Sequence, residues 1–353
     1  MTIDMHSHWR PSELVDALRE RTREPRILRN AEGVEVLKGR LGEQPIDRAF
    51  DDAEQRLEEM ERGGISAAVL SLLGGFQWIE RLPVDESLPL VRLFNDSISA
   101  LCGRYEGRFA AYASLPQADV TAAAAEFERA IALPGIIGAI LPASSFLTHA
   151  DASKMRPVLE AANRHRATLF IHYGPKPGDA FPRVPNGTDN ARRRNGTLDM
   201  QANLSSAMVT LCLTDILAPY PNASIHVHNL GGNIPYEIER MDHRSMLDTP
   251  DEELPSVRFA RSPVYVDCNS FGPRAIEAGV RLYGADRIMF GTDGTTFGYE
   301  WSGKALQDAD IGDEAKDKIL HRNAAGMMAH RVPLADFKPS HRGDRERSRP
   351  TAA

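Results

Sequence analysis

The stretch IDMHSH, residues 3–8, stands at the start of the chain and places His6 and His8 one residue apart. Side chains alternate between the two faces of a β-strand, so both imidazoles would point to one side and could converge on one metal ion. Two solvated histidines near a frayed terminus would give the same pattern. The rest of the chain has to separate a metal site from a feature of the terminus.

The composition predicts a protein with a sizeable core that acts on small molecules or other proteins. The 353 residues are 42% hydrophobic, and the formal net charge is -7. A chain without a basic field is not suited to nucleic acid or to an anionic membrane surface. Its three cysteines are far apart and show no C-x-x-C spacing, which favours a reducing compartment. With no leader pattern and no long apolar run, we expect a soluble cytoplasmic protein.

Short apolar stretches alternate with helical stretches along the chain, which indicates a parallel sheet wrapped by helices. About eight strands are expected, the number that closes a (β/α)8 TIM barrel. The predicted fold class is therefore α/β, with a single barrel domain over residues 1–335. An open doubly wound sheet is the alternative, but no Gly-rich dinucleotide fingerprint follows an early strand. The expected strands begin near Ile3, Ile65, Phe109, Ile136, Leu169, Ile225, Val264 and Ile288.

Two insertions and a tail fall outside this repeat. Residues 21–50 are largely polar and follow the first expected helix. Residues 174–200 are rich in Pro, Gly and Asn and follow a strand end, where barrel active sites are built, so we expect a lid or substrate loop. Residues 338–353 carry mixed charge and few apolar side chains, which predicts a disordered tail.

Six residues that can bind a metal stand at the carboxyl ends of the expected strands, and in a barrel these ends converge on one mouth. Neutral imidazoles with a carboxylate suit Zn, Mn or Fe, and three or four protein ligands leave a position for water or substrate. The sequence therefore predicts a divalent metal site, with one ion expected and two ions as the alternative. The candidate ligands are His6, His8, His172, His226, His228 and Asp293.

Four motifs in this order, IDMHSH, LFIHYG, LGGNIPY and IMFGTDG, resemble the amidohydrolase superfamily, in its branch around aminocarboxymuconate semialdehyde decarboxylase. The resemblance covers about residues 1–330. The activity it implies is hydrolysis or non-oxidative decarboxylation of a small carboxylated or cyclic substrate, in which the metal polarises a substrate oxygen or activates bound water. The metal ligands it implies are His6, His8, His172 and Asp293.

The resemblance is incomplete at the sixth strand. The branch has a histidine directly before its Gly-rich stretch, whereas this chain has Asn229 there, with His228 one place and His226 three places earlier. Either His228 takes a catalytic role beside Asp293, or Asn229 stands in that place and proton transfer by a histidine is lost. The second H-x-H pair could also hold a second metal, so a dinuclear iron or Mn/Fe oxygenase is an alternative activity. A non-catalytic partner subunit of a homologue is the third hypothesis.

Other polar residues are candidates for supporting roles. Asp267, at the end of the seventh strand, is expected to orient a ligand histidine by a hydrogen bond. A carboxylated substrate would be held by cations or rings near the mouth. The candidate substrate-binding residues are Trp9, Arg10, Arg192, Arg193, Arg194 and Asn229. For the assembly we expect a homodimer, or a hetero-oligomer with a homologue.

Overall fold

Eight parallel strands form one sheet that curves into a barrel. A computed structural model describes residues 1–46 and 52–332. The strands are β1 Ile3–Trp9, β2 Arg26–Arg29, β3 Glu35–Gly39, β4 Gly42–Pro45, β5 Ala67–Leu72, β6 Phe109–Ala113, β7 Ile136–Pro142, β8 Thr168–His172, β9 Ser224–Val227, β10 Tyr265–Asp267 and β11 Ile288–Met289. Neighbours in the large sheet follow the order β1-β5-β6-β7-β8-β9-β10-β11.

Backbone hydrogen bonds bring the two ends of this sheet together. The amide of Met5 donates to the carbonyl of Phe290 over 2.9 Å, and the amide of Asp293 donates to the carbonyl of His6 over 2.7 Å. The last strand and the residues after it therefore lie beside β1. The predicted TIM barrel is confirmed.

Helices lie between the barrel strands and end where local chemistry stops them. At the start of α2 the Asp52 carboxylate accepts from the amide of Gln55, and Gly64 ends the helix at a φ of 73°, which favours glycine. The helices are α1 Ser12–Arg19, α2 Ala53–Gly63, α3 Val84–Arg104, α4 Val120–Ala130, α5 His149–Lys154, α6 Arg156–His165, α7 Ala191–Arg193, α8 Met200–Leu213, α9 Ile234–Asp248, α10 Pro255–Arg261, α11 Pro273–Tyr283, α12 Gly294–Phe297, α13 Glu300–Asp308, α14 Asp313–Asp317 and α15 Asn323–Met328.

The side chains of β1 that face the barrel interior do not follow one regular alternation along the strand. Met5 packs in the barrel interior, whereas Trp9 packs in the layer between strands and helices. Regular alternation would place both on the same face, because they are four residues apart. The pairing register with β5 shifts in the middle of the strand. As a result His6 also faces inward, with its ring centroid 5.1 Å from that of Phe170.

The polar insertion expected at residues 21–50 contains a small sheet of its own. Strands β2, β3 and β4 pair antiparallel in that order. They are short and rich in charged residues, so they lack the long apolar alternation that marks a strand in sequence. Buried Ile27 and Leu37 join this sheet to the core of the barrel. We refer to residues 26–45 as the hairpin insertion.

The second insertion is shorter than the sequence indicated. Helical structure begins at Ala191 and passes through a π-helical turn, Arg194–Asp199, into α8. The predicted loop extends too far because Asn195 and Gly196 are weak helix formers, and the surrounding structure overrides that preference. The tail expected to be disordered, residues 338–353, lies outside the described residues.

Candidate metal centre

Three histidines meet at the carboxyl ends of the barrel strands. His6 and His8 lie on β1, and His172 ends β8. One ligand nitrogen from each ring lies within 4.8 Å of the other two. Imidazoles this close can share one divalent ion. We call them the histidine triad.

Hydrogen bonds from outside the triad determine which nitrogen two of these rings can offer. Nδ1 of His6 lies 3.2 Å from Oδ2 of Asp267, and Nδ1 of His172 lies 2.9 Å from the carbonyl oxygen of Tyr173. A carboxylate and a carbonyl only accept, so Nδ1 carries the hydrogen and Nε2 has the lone pair. Nε2 of His6 is buried and has no hydrogen-bond partner among residues 1–46 and 52–332. This donor set fits a metal ion.

Burial keeps most of the triad uncharged. It holds the pKa of His8 well below its ordinary value and lowers that of His172 to about 3. Both rings are therefore neutral near pH 7 and have a lone pair. Burial also opposes a charge on His6, but the Asp267 carboxylate beside it raises the pKa of His6 above its ordinary value. A metal ion would compete with a proton at that nitrogen.

Asp293 lies beside His8 of the triad. Nδ1 of His8 lies 2.9 Å from Oγ of Ser71, and its Nε2 lies 3.5 Å from Oδ1 of Asp293. The Asp293 backbone has a φ of 50°, in the left-handed region that few non-glycine residues adopt. Its side chain is 15% exposed. Asp293 therefore combines proximity to the triad with access to solvent.

Asp4 holds this segment in place, and the sequence analysis did not single it out. Its carboxylate accepts from the backbone amide of Thr292 over 3.0 Å and from the Thr292 hydroxyl. It also accepts from the amide of His6 over 3.1 Å. Since Thr292 directly precedes Asp293, these bonds tie the residues after β11 to β1. Asp4 thereby sets the position of Asp293 relative to the triad.

His228 lies against the triad in a different hydrogen-bonding state. Its ring stacks on that of His172, with centroids 4.3 Å apart and planes 11° from parallel. The backbone amide of Tyr173 donates to Nε2 of His228 over 2.8 Å. That lone pair is therefore used, and in the neutral ring Nδ1 carries the hydrogen. Burial holds the pKa of His228 well below its ordinary value, so the ring is neutral and presents an N–H.

Asn229, the alternative to His228 in the sequence, is tied to its neighbours. Its Nδ2 lies 3.1 Å from Sδ of Met200, and its Oδ1 accepts from Nδ2 of Asn269 over 3.0 Å. Its backbone amide donates to Oδ1 of Asp267 over 3.0 Å. Of the two residues, His228 is the one whose ring stacks on the triad.

His226 lies deeper in the barrel, behind Asp267. Its Nε2 lies 2.9 Å from Oδ2 of Asp267, and its Nδ1 lies 3.2 Å from the hydroxyl of Tyr112. The side chain is fully buried. Both ring nitrogens are engaged, so in this arrangement His226 and His228 do not present a second pair of lone pairs to the mouth.

A cavity of about 170 Å³ opens beside His172. One wall comes from the hairpin insertion, and another comes from the residues that follow β5. The guanidinium of Arg40, in the hairpin insertion, lies 4.4 Å from the centroid of the Trp78 ring, and that of Arg81 lies 5.3 Å from it. Phe181 also lines the cavity. Aromatic rings and two guanidinium groups beside the triad suit a small planar anion.

Most of the substrate-binding residues expected from the sequence lie away from this cavity. Trp9 packs in the layer between strands and helices, and the buried guanidinium of Arg10 lies 5.3 Å from the centroid of the Phe76 ring. Residues 192–194, the three arginines, are exposed on the helical turn after the loop. Arg193 and Arg194 hydrogen-bond within that segment. The described lining of the cavity contains none of these residues.

Several residues of the site escaped the sequence analysis. Trp78 and Arg81 follow β5 in the stretch FQWIER, and the end of a barrel strand is the signal that could have found them. Arg40 has no such signal, because its position depends on how the hairpin insertion packs. Ser71 and Tyr112 also read as ordinary strand residues, and only their three-dimensional neighbours reveal their hydrogen bonds.

Fold and site together define the class of this protein, a TIM barrel with a candidate imidazole metal centre at the carboxyl ends of its strands. The family model described as amidohydrolase matches residues 3–327. The chain belongs to the amidohydrolase family. The resemblance predicted from the four motifs is confirmed.

Several proteins similar to this chain are decarboxylases. The chain is 23% identical to the gamma-resorcylate decarboxylase of Rhizobium radiobacter over 325 residues, which is 88% of this chain and 97% of that protein. A dihydroxybenzoic acid decarboxylase of a Polaromonas species, with manganese and 2-nitroresorcinol bound, superimposes with a TM-score of 0.68 at 19% identity, covering 95% of this chain and 99% of that one. A manganese complex of 5-carboxyvanillate decarboxylase from Novosphingobium aromaticivorans superimposes with a TM-score of 0.71 at 20% identity, covering 93% of this chain and 96% of that one.

These findings confirm the predicted class of a metal-dependent enzyme of the hydrolase or decarboxylase type, and they favour decarboxylation within it. The manganese in two neighbouring structures agrees with the predicted divalent metal. A small-molecule substrate is consistent with these relatives. Within the described part of the chain, no helix combines the length and the apolar character needed to cross a membrane.

Proposed function

We propose that this protein is a metal-dependent, non-oxidative decarboxylase of a small aromatic carboxylate. The observation that carries the proposal is the histidine triad, with its lone pairs set by outside hydrogen bonds, beside a cavity with aromatic and cationic walls. The decarboxylase relatives support the reaction type. The hydrolase alternative shares the metal site but lacks this support.

The metal-binding residues in this proposal are the triad and Asp293, and they hold one divalent ion, with manganese the first choice. A bound ion supplies positive charge that polarises the oxygens of the substrate. Two ions are not proposed, because both ring nitrogens of His226 are already engaged. The oxygenase alternative required that second pair, so no observation on the described residues favours it.

His228 and Asp293 take the catalytic roles. Decarboxylation of an aromatic acid requires a proton at the ring carbon that carries the carboxylate, after which the carbon–carbon bond breaks and CO₂ leaves. Asp293 is partly exposed and can take up a proton from solvent and pass it to that carbon. Nδ1 of His228 is buried and has no hydrogen-bond partner among the described residues, and we assign to its N–H the donation to a substrate oxygen.

The cavity selects the substrate. Trp78 and Phe181 offer flat apolar surfaces for an aromatic ring, while Arg40 and Arg81 offer positive charge to its acidic groups. Arg81 is further held by its donation to the carbonyl of Gln77 over 2.9 Å. A single ring with a carboxylate and a hydroxyl is the class of molecule that such a cavity suits.

The test is to purify the chain without chelator, determine its metals, and follow 2,6-dihydroxybenzoate and 5-carboxyvanillate with Mn²⁺ under strictly anaerobic conditions. We expect about one ion per chain and release of CO₂ without O₂. His8→Ala should lose both metal and activity, whereas His149→Ala, at a surface position, should lose neither. Activity that depends on O₂, or two irons per chain, would contradict the proposal.

We also propose that the protein works in the cytoplasm as a homodimer, or as a hetero-oligomer with a homologue. Its three cysteines, Cys102, Cys212 and Cys268, are free and buried, which supports a reducing compartment. For the homodimer, light scattering of the purified chain should give twice the mass of 39.0 kDa. A monomer that is fully active would refute both forms of the assembly.

A further inference from the structure

His226 is the one histidine of the second H-x-H pair that the proposed reaction does not use, although it is completely buried in the barrel. Its Nε2 faces a carboxylate oxygen, Oδ2 of Asp267, at 2.9 Å. A carboxylate only accepts, so Nε2 carries the hydrogen. Nδ1 then has the lone pair, and it accepts from the hydroxyl of Tyr112, 3.2 Å away.

The Asp267 carboxylate is saturated by four donors. Oδ2 accepts from His226 and, over 3.2 Å, from Nδ1 of His6. Oδ1 accepts from the backbone amides of Asn229 and Asn269 over 3.0 Å and 3.1 Å. A carboxylate held at both oxygens has one orientation. The hydrogen bond from Nδ1 to this fixed carboxylate also fixes the orientation of the His6 ring. In this orientation Nε2 is the nitrogen of His6 that is available to the triad.

Aromatic packing fixes the far end of this chain of hydrogen bonds. The Phe170 ring stacks on His226 with centroids 4.4 Å apart, and on Tyr112 with centroids 5.0 Å apart. The same ring lies edge-on to His6 at 5.1 Å. The hydroxyl and both imidazoles are therefore confined by the barrel interior. Their hydrogen-bond directions follow from packing.

We propose that His226 is a positioning residue, which acts through Asp267 to present Nε2 of His6 to the metal, and that Tyr112 holds the His226 ring in place by donating to its Nδ1. This inference rests on the proposed metal centre. It assigns a role to a buried pair that neither the family resemblance nor the predicted second metal explains. Residues that orient a metal-binding histidine from outside commonly change metal affinity by about 10- to 100-fold when they are replaced.

The experiment measures Mn²⁺ affinity from the electron paramagnetic resonance signal of the free ion, without reference to activity. His226→Leu should bind Mn²⁺ about 10- to 100-fold more weakly than the native chain. His226→Gln should recover most of the affinity, because its amide nitrogen can replace Nε2 as the donor to Asp267. The Mn²⁺ affinity of Tyr112→Phe should lie between those of His226→Leu and His226→Gln. Because this variant removes a single oxygen atom, it should fold even if His226→Leu does not.

Val227→Ala is the matched control, because Val227 is the next residue of β9 and packs toward the helices. It should lower the thermal stability and leave the Mn²⁺ affinity unchanged. Equal affinity in His226→Leu and the native chain, or an equal loss in Val227→Ala, would overturn the inference alone. A native chain that does not bind Mn²⁺ would overturn the proposed function and this inference with it.

Nitrogen-15 NMR of the metal-free chain gives a second measurement. We expect His226 to be protonated at Nε2 and unprotonated at Nδ1, and Tyr112→Phe to keep this tautomer, because the Asp267 carboxylate at Nε2 can only accept. A native spectrum with the proton at Nδ1 would refute the hydrogen-bond assignment. That result would leave the metal centre itself untouched.

Discussion

At the end of β9, His228 accepts the backbone amide of Tyr173 at Nε2 and stacks on His172. The identity of one neighbour, an N–H and not a carbonyl, therefore decides that this ring presents a donor. The three triad rings differ from His228, because their Nδ1 atoms, and not their Nε2 atoms, face the outside partner, which is a carboxylate, a carbonyl or a hydroxyl. Identical side chains thus receive different roles from the groups at their second nitrogen.

His228→Gln tests the donor role. The amide oxygen of Gln can still accept from Tyr173, but the N–H that Nδ1 supplied is lost. We expect the turnover number to fall about 100- to 10,000-fold, with Mn²⁺ affinity within about threefold of the native value. Steady-state kinetics and a metal titration measure the two effects. A variant that loses metal and keeps turnover when metal is saturating would show that His228 is a ligand.

Glu80, a buried residue outside the triad, lowers the free energy of unfolding near neutral pH. Burial raises its pKa from 4.5 to about 7, against the opposing effect of the Arg81 guanidinium. Between these two values the unfolded chain ionises Glu80 while the folded chain keeps it protonated, so the free energy of unfolding falls as the pH rises through this window. The loss is complete near pH 7 and amounts to at most about 3 kcal/mol.

Glu80→Gln should remove that dependence. Its free energy of unfolding relative to the native chain should improve between pH 5 and pH 8 by as much as about 3 kcal/mol. Urea unfolding at the two values measures the difference. The exposed Glu252→Gln variant should follow the native chain at both. A native chain whose stability is level across the window would show that Glu80 is ionised in the fold.

At the scale of elements, the hairpin insertion turns an open barrel mouth into a cavity. Barrel strands and helices supply the triad, but the residues at one side of the cavity come from β3, β4 and the turn between them. Arg40 lies in that turn and stacks on Trp78, which follows β5. In the proposed function, substrate selection and metal binding therefore depend largely on different elements, and His172 is the triad residue that also lines the cavity.

Arg40→Met should weaken substrate binding without disturbing the metal. Removing one cation from the cavity should raise KM for an aromatic carboxylate by about tenfold, whereas Mn²⁺ affinity should not change. Arg29→Met is the matched control, since Arg29 is an exposed arginine of the same insertion and donates to the carbonyl of Gly33. An unaltered KM in Arg40→Met would remove Arg40 from the substrate site.

At the scale of the whole molecule, the proposed ligands connect elements that lie far apart in sequence. His6 and His8 come from the first barrel strand, His172 from the fifth and Asp293 from the residues after the eighth. An ion bound by these residues would bridge the first and last strands, where the barrel closes. Metal binding should therefore stabilise the entire fold, because the unfolded chain has no such site.

Removing the metal should lower the melting temperature. With free Mn²⁺ at about 100 times its dissociation constant, the stabilisation is about 2.7 kcal/mol, which corresponds to roughly 3–5 °C for a chain of this size. Differential scanning calorimetry with Mn²⁺ and after dialysis against chelator measures the shift. His8→Ala should show no shift, and a native chain without a shift would argue against a metal that bridges the strands.

Much of the architecture could be predicted from local pattern. Alternating apolar and helical stretches indicate a barrel, because the apolar pattern of a buried strand or an amphipathic helix can be recognised within a short stretch of sequence. The residues at the strand ends, His6, His8, His172 and Asp293, could be grouped because a parallel barrel brings its carboxyl ends together. An insertion at residues 21–50 was expected, but its small sheet could not be foreseen, since its short charged strands are stabilised by packing on the barrel.

The sequence by itself determined the barrel and the set of candidate ligands, because periodicity and strand ends are local properties. Only the tertiary structure decided how His226 and His228 divide their roles, since that depends on which donor or acceptor each nitrogen meets. It also decided which arginines face the cavity. These contacts join residues far apart along the chain, and no local pattern encodes them.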